Sequence, residues 1–226
     1  MGQYYKPFIE SKDGELVSYK NPSMLKLTEH SYYGNEAVLG MYEVLYNNPV
    51  HVAWVGDYAR DYDFNDPLCK FNKDLALKAY KQTWGYNQDT EEYLYEDKEL
   101  PNVDTDSFIK KDNDKWIVTD DRYYGIFDEY YLLVNHTKKE FINLHKYFYN
   151  NKKYYKFEGP YFNPLPILTA VGNGFGGGDY HYSNSVNKEM VGYWFYDVIS
   201  VEDKNYKVPK DYTDQTENED YVFYEK

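Results

Sequence analysis

Hydrophobic residues recur along the chain with two different spacings, and each spacing predicts a different element. VHVAWVGDY at 50–58 alternates apolar and polar positions, which is typical of a half-buried strand. The segment EAVLGMYEVLY follows Asn35, a residue type that caps helices. Its apolar positions fall at helical spacing: Val38, Met41, Tyr42 and Leu45. This spacing predicts a helix that faces the core.

The same signals predict further elements. Asn21 to Ser23 and Asn72 are positioned to cap helices over MLKLTEH and KDLALKAYKQTW. In the second half, YYLLVNHTKKEFINL has two β-rich runs around a polar turn, which indicates a hairpin, and VGYWFYDVISV indicates another strand. Pro164 after Asn163 predicts a short helix ending near Gly172, although a strand through ILTAV fits the β-branched residues as well.

Charge divides the chain into four parts. Residues 88–122 contain twelve acidic and five basic side chains, which is typical of a solvated connector or insertion. We therefore expect a first α+β half at 1–87, a second half at 123–201 and an acidic C-terminal tail at 202–226, together forming one compact unit. The predicted fold class is α+β, with a mixed or largely antiparallel sheet and helices on one side.

The two halves share an order of signals: hairpin, helix, a Gly/Asn exit and a strand ending in an aspartate, Asp57 in the first half and Asp197 in the second. A diverged internal duplication explains this order. Aromatic-rich strands that mimic a repeat explain it equally well, so both interpretations stay open.

Composition narrows the classes of function. The formal net charge is −13, and Arg60 and Arg122 are the only arginines, so binding to nucleic acid or to anionic lipid is disfavoured. Cys69 is the single cysteine, and no apolar run is long enough for a signal peptide or a membrane span, so we expect a cytoplasmic protein. The 30 tyrosines suit strands with one wet face as well as binding surfaces.

The stretch LTAVGNGFGGGDYHY places glycine at five of the seven positions from 172 to 178. It satisfies the G-x-G-x-x-G spacing, but GDYHYSNSVNK does not predict the helix that a dinucleotide site requires. One interpretation is a wide turn packed beneath Trp194. The other is a nest of backbone N–H groups that binds a small ligand. The predicted ligand-binding residues are Gly174, Gly176, Gly177, Gly178, Tyr180 and Trp194.

Four segments carry a resemblance to known proteins: MGQYYK at 1–6, VGDYA at 55–59, VNHTKKEFI at 134–142 and LTAVGNGFGGGDY at 168–180. On these segments the chain resembles a family of small bacterial, phage and fungal proteins with an MGQY-type start, a GDYA segment and a GNGxGGGDY loop. The family has no established activity, so the resemblance implies shared motifs and no particular function. Phe175 stands where relatives would have arginine, which disfavours an anionic ligand at the loop.

Acid–base chemistry has one candidate set. Asp57 follows a strand and Asp179 and His181 follow the glycines, so these three residues are the predicted catalytic group if they converge. The histidines form no H-x-H or H-E-x-x-H pair, so we assign no metal ligands, and no cofactor is identified.

We therefore expect an interaction or small-ligand-binding protein, encoded by a phage or mobile element, that occupies a protein partner or a small molecule. The first alternative is a metal-assisted hydrolase or nucleotide-modifying enzyme built around Asp57, Asp179 and His181. The second is an acidic decoy that mimics nucleic acid through residues 88–122.

Overall fold

The structure is a computed structural model of the 226-residue chain. It describes residues 2–20, 25–31, 35–61, 70–101, 109–112, 115–118, 132–151, 162–173, 187–221 and 223. Most of the glycine stretch, from residue 174 onward, and part of the acidic segment therefore lie outside the described residues.

A mixed, mostly antiparallel sheet organises the described part of the chain. Its order is β12-β9-β8-β11-β3-β1-β2, and β10 also pairs with β3, in parallel. The strands are β1 Tyr5–Glu10, β2 Leu16–Ser18, β3 Val50–Gly56, β8 Leu132–Asn135, β9 Glu140–Asn143, β10 Ala170–Val171, β11 Val198–Glu202 and β12 Thr213–Asp214. Two separate two-stranded pairs are formed by β4 Tyr86–Asn87 with β5 Glu92–Tyr93, and by β6 Ile109–Asp112 with β7 Lys115–Val118.

Helices begin where the sequence supplies capping side chains. They are α1 Leu27–His30, α2 Glu36–Leu45, α3 Lys73–Trp84, α4 Leu144–Asn151 and α5 Pro164–Thr169. Asn35, Asn72 and Asn163 each accept backbone N–H bonds at the starts of α2, α3 and α5. The caps at Asn35 and Asn72 were predicted, whereas α5 was predicted from Pro164 and not from a cap. Within the described ranges, every helix is too short or too polar to cross a membrane.

The alternation in β3 divides the core into two layers. Val50, Val52 and Trp54 pack with α1, α2, α4 and α5 on one face of the sheet. Ala53 and Val55 pack with α3 on the other face. The prediction of helices on one side is therefore right for the larger layer, while α3 adds a smaller second layer. The α+β class and its mostly antiparallel sheet are confirmed.

The hairpin of the second half is confirmed, since β8 and β9 pair antiparallel around a short turn. The strand expected across 191–201 is shorter than predicted and begins only at Val198. The reason is backbone conformation: Gly192 and Tyr196 have positive φ angles of 72° and 60°, which break an extended run. The helix expected over MLKLTEH begins at Leu27, after Lys26, and Asn21 to Ser23 lie outside the described residues.

Both halves contain a hairpin, then helices, then a strand. Apart from β10 and β12, the sheet order is symmetric about the central β3–β11 pair. The proposed match between aspartates does not follow this symmetry. Asp57 comes after β3, whereas Asp197 comes before β11, where Asn135 and Lys138 contact its carboxylate. The duplication stays a prediction, and the aspartates do not support it.

Candidate functional site

The glycine stretch leaves the sheet beside the end of β3. Ala170 pairs with Trp54 and Val171 with Val55 in parallel register. Continuing this register places the next residues, 172 and 173, alongside residues 56 and 57. The carboxyl ends of two adjacent parallel strands thus open at the same edge, which is the usual position of a ligand crevice in α/β sheets. We call this place the junction: Gln3, Tyr4, Tyr5, Gly56, Asp57, Gly172 and Asn173.

Gln3 connects the segments of the junction. Its side chain has no exposed surface, and its Oε1 accepts hydrogen bonds from the Tyr5 hydroxyl at 3.0 Å and from the Asn173 backbone N–H at 3.2 Å. A Cβ atom at Gly172 would lie 2.2 Å from that Oε1, and one at Gly56 would lie 2.6 Å from Gln3 Cδ. Both positions must therefore be glycine because the Gln3 amide occupies the space of a side chain.

The other half of the Gln3 amide is the unusual feature of the junction. Its Nε2 is buried and has no hydrogen-bond partner among the residues that the structure describes. A buried donor without an acceptor costs about 1–3 kcal/mol. Such a group in a folded protein requires an explanation, and a bound molecule that supplies an acceptor is one.

Asp57 is held at the junction by backbone contacts. Its Oδ1 accepts a hydrogen bond from the Tyr4 N–H at 3.0 Å, and its own N–H donates to the Tyr4 carbonyl at 2.9 Å. Burial raises the pKa of Asp57, although the N–H groups of Tyr4, Asp57 and Tyr58 act in the opposite direction. The carboxyl group is half-buried, so it can accept a further hydrogen bond or a proton.

Of the predicted site residues, Asp57 and Trp194 are described. Seven predicted residues lie outside the described ranges: Gly174, Gly176, Gly177, Gly178, Asp179, Tyr180 and His181. Their convergence with Asp57 stays a prediction. The described start of the stretch, Gly172 and Asn173, does lie beside the strand that ends in Asp57.

Trp194 is part of the larger core layer, where it is fully buried. Its indole N–H donates to Glu140 Oε2 at 3.0 Å, and the Tyr221 hydroxyl donates to the same oxygen at 2.7 Å. The indole N–H, the one polar atom of this side chain, is thus satisfied inside the protein. Trp194 therefore packs in the core of the larger layer.

Sequence reasoning did not single out Gln3 and Tyr5. The available signal was their place in the MGQYY segment, one of the four segments on which a family resemblance is predicted. The junction is formed by residues 3–5, 56–57 and 172–173. Among the described residues, no group of three or more His, Cys, Asp or Glu side chains is arranged to hold a metal ion.

Comparison with known proteins gives no match, whether with family models, curated proteins or solved structures.

Proposed function

We propose that this protein binds a small molecule at the junction. The observation that carries the proposal is the buried Gln3 amide, which joins residues 3–5 to residues 172–173 through Oε1 while its Nε2 has no acceptor among the described residues. Both ends of a buried amide are usually satisfied in folded proteins. A ligand that accepts a hydrogen bond from Nε2 would complete the site.

The neighbouring groups define the class of ligand. Gln3 Nε2 offers a donor, and the half-buried Asp57 carboxyl group offers an acceptor. The Asp57 carboxylate and Phe175 in the adjacent stretch disfavour a strongly anionic ligand at the junction. The proposed ligand is therefore an uncharged polar molecule that carries both a carbonyl or hydroxyl acceptor and a donor, such as a nucleoside or a sugar.

Native mass spectrometry and thermal shift test the proposal on gently purified protein. Gln3→Glu is the critical variant because it keeps the Oε1 acceptor and replaces only the Nε2 donor. Gln82→Glu is the matched control, since Gln82 is also buried but lies on α3, away from the junction. We expect a copurified small molecule, or stabilisation by a nucleoside or sugar panel, in the wild type and in Gln82→Glu. Gln3→Glu should show neither the copurified molecule nor the stabilisation.

A bare mass in all three proteins, with no stabilisation by any compound, would contradict the proposal. Equal ligand retention in Gln3→Glu and in the wild type would also contradict it, because the Nε2 donor would then play no part. The melting temperature of each unliganded variant separates loss of binding from loss of folding.

A metal-assisted hydrolase or nucleotide-modifying enzyme is the second candidate. It is favoured by the start of the glycine stretch beside β3, since Asp179 and His181 lie only six and eight residues beyond Asn173. Asp57→Asn tests it, because asparagine keeps the acceptor for the Tyr4 N–H and removes the charge. Divalent metal bound by the wild type and lost in Asp57→Asn, together with metal-dependent hydrolysis of a phosphate ester, would support this candidate.

A further inference from the structure

A concave site lies at the end of β3 opposite the junction. It is a cleft of about 430 Å³ between the two hairpin turns, and its lining includes Glu10, Ser11, Lys12, His51, His136 and Val198. Glu10, His51 and Val198 are register neighbours across β1, β3 and β11, so they form its floor. This volume is within the range of small-molecule sites. The cleft is separate from the junction, because His51 and Asp57 are at opposite ends of the same strand.

His51 presents one free nitrogen to this cleft. Its Nδ1 is 2.7 Å from the Tyr196 carbonyl oxygen, and a carbonyl can only accept, so Nδ1 carries the proton and donates. In the neutral ring Nε2 is then an acceptor, and it has no hydrogen-bond partner among the described residues. A backbone carbonyl that fixes one nitrogen and leaves the other available is the arrangement found where histidine binds a ligand or a proton.

Tyr196 holds both polar groups of the floor. It has a φ of 60°, a strained conformation for a residue with a side chain. In this conformation its carbonyl accepts from His51, its ring packs on the His51 ring at 5.2 Å, and its hydroxyl donates to Glu10. Backbone strain of this kind costs about 1–3 kcal/mol and is concentrated at functional sites.

The charges around the cleft favour a ligand with one anionic group. Glu10 Oε2 accepts from Lys78 Nζ at 2.7 Å as well as from Tyr196, so its charge is balanced. Burial alone would raise the pKa of Glu10, but these hydrogen bonds outweigh it and lower the pKa. Lys12 is exposed at the cleft and has no ion-pair partner among the described residues. The cleft wall therefore carries a free cation in an otherwise acidic protein.

His136 forms part of the wall and has no nitrogen left to offer. Its Nε2 lies 2.8 Å from Ser200 Oγ, which donates to Glu202, and its Nδ1 lies 3.2 Å from the Tyr212 hydroxyl. Ser200 lies between His136 and Glu202 in this chain of hydrogen bonds and is fully buried, so its hydroxyl cannot attack a substrate. His51 and Lys12 are thus the groups that can bind a ligand.

We propose that this cleft binds a small organic anion that also carries hydroxyl groups, such as a hydroxy acid or a sugar phosphate. Lys12 Nζ binds the anionic group, and a ligand hydroxyl donates to Nε2 of His51. Glu10 accepts a second hydroxyl through Oε1, the oxygen that neither Lys78 nor Tyr196 uses. This site does not depend on the ligand proposed for the junction.

Histidine-detected NMR tests the proposal with three probes: glycerol 3-phosphate, glycerol and methyl phosphate. The first carries both chemical features, and each of the others carries one. We expect a saturable shift of the His51 Nε2 resonance with glycerol 3-phosphate, at a concentration about tenfold lower than with either single-feature probe. Lys12→Gln should weaken this binding about tenfold, the size expected for one charge-assisted contact.

Lys73→Gln is the control, because it removes the same charge from an exposed lysine of α3 that is not part of the cleft. It should bind like the wild type. The proposal is overturned if the His51 resonance does not shift with any probe up to about 20 mM, which is weaker than a specific site would be. It is also overturned if Lys12→Gln and Lys73→Gln bind equally well.

Discussion

The Gly172→Ala substitution tests how the junction is built. A Cβ atom at this position would lie 2.2 Å from Gln3 Oε1 and 2.3 Å from the Tyr5 hydroxyl oxygen. Both side chains are buried, with 0% and 2% of their surface exposed, so neither can move into solvent. The φ angle of Gly172 is outside the positive range, so alanine is tolerated by the backbone and the cost is steric.

The expected cost has two parts. Inserting one methyl group into a packed site destabilises a protein by about 1–3 kcal/mol. Moving the Gln3 amide away also weakens the hydrogen bonds that it accepts from Tyr5 and from the Asn173 N–H, at about 1 kcal/mol each. We expect Gly172→Ala to lower the free energy of unfolding by about 2–5 kcal/mol.

Urea denaturation of the variants in a double-mutant cycle tests whether Gln3 is the cause of the destabilisation. Gln3→Ala removes one of the two atoms that alanine would meet, so the double variant Gln3→Ala/Gly172→Ala should be more stable than the sum of the single effects predicts, by at least about 1 kcal/mol. A Gly172→Ala protein within about 0.5 kcal/mol of the wild type would refute the placement of Gln3. Additive effects in the cycle would show that the clash involves another group.

Three further predictions concern buried polar groups. Burial lowers the pKa of His30 from 6.5 to about 4. Its neutral form stabilises the folded state above pH 6.5, and this contribution is lost as the pH falls towards 4. Between pH 7 and pH 4, the free energy of unfolding should fall by up to about 3 kcal/mol more in the wild type than in His30→Gln. Asp97→Ala should lower the free energy of unfolding, measured in urea, by about 3 kcal/mol, because it leaves the Lys6 ammonium buried without its carboxylate. A nearly neutral effect would show that Lys6 is exposed to solvent. Tyr42→Phe should lower the free energy of unfolding by about 1 kcal/mol, and Asn163→Ala by about 3 kcal/mol. The larger effect is expected because Asn163 both accepts from the Tyr42 hydroxyl and caps α5. Equal thermal shifts in the two variants would argue against the cap.

Local signals in the sequence predict the elements well. Asn35 and Asn72 cap the helices that they were expected to cap, because a cap depends on residues within one turn. The β8–β9 hairpin follows from two β-rich runs around a short polar turn, which is a local signal as well.

Contacts between distant segments were not predictable in the same way. The acidic segment was expected to be a solvated connector, yet Asp97 accepts hydrogen bonds from Lys6 and Ser18 and fixes this segment to β1 and β2. Gln3 had no visible role in the sequence, because its contacts with Gly56 and Asn173 are 53 and 170 residues away. These long-range contacts determine which residues lie together at the candidate site, and a single sequence does not reveal them.

The two candidate sites share a structural cause in the way β3 changes partners. Along one edge, β3 pairs with β11 at Val50 and His51 and with β10 at Trp54 and Val55. Between these pairings the chain at Tyr196 and Asp197 bonds to both backbone groups of Val52. The positive φ of Tyr196 turns the chain away there, which aims the Tyr196 carbonyl at His51. Beyond Val52, this edge of β3 pairs with β10. Because β10 runs parallel to β3, the start of the glycine stretch at Gly172 and Asn173 comes to lie near Asp57. The same turn therefore determines both the free Nε2 of the cleft and the position of the junction.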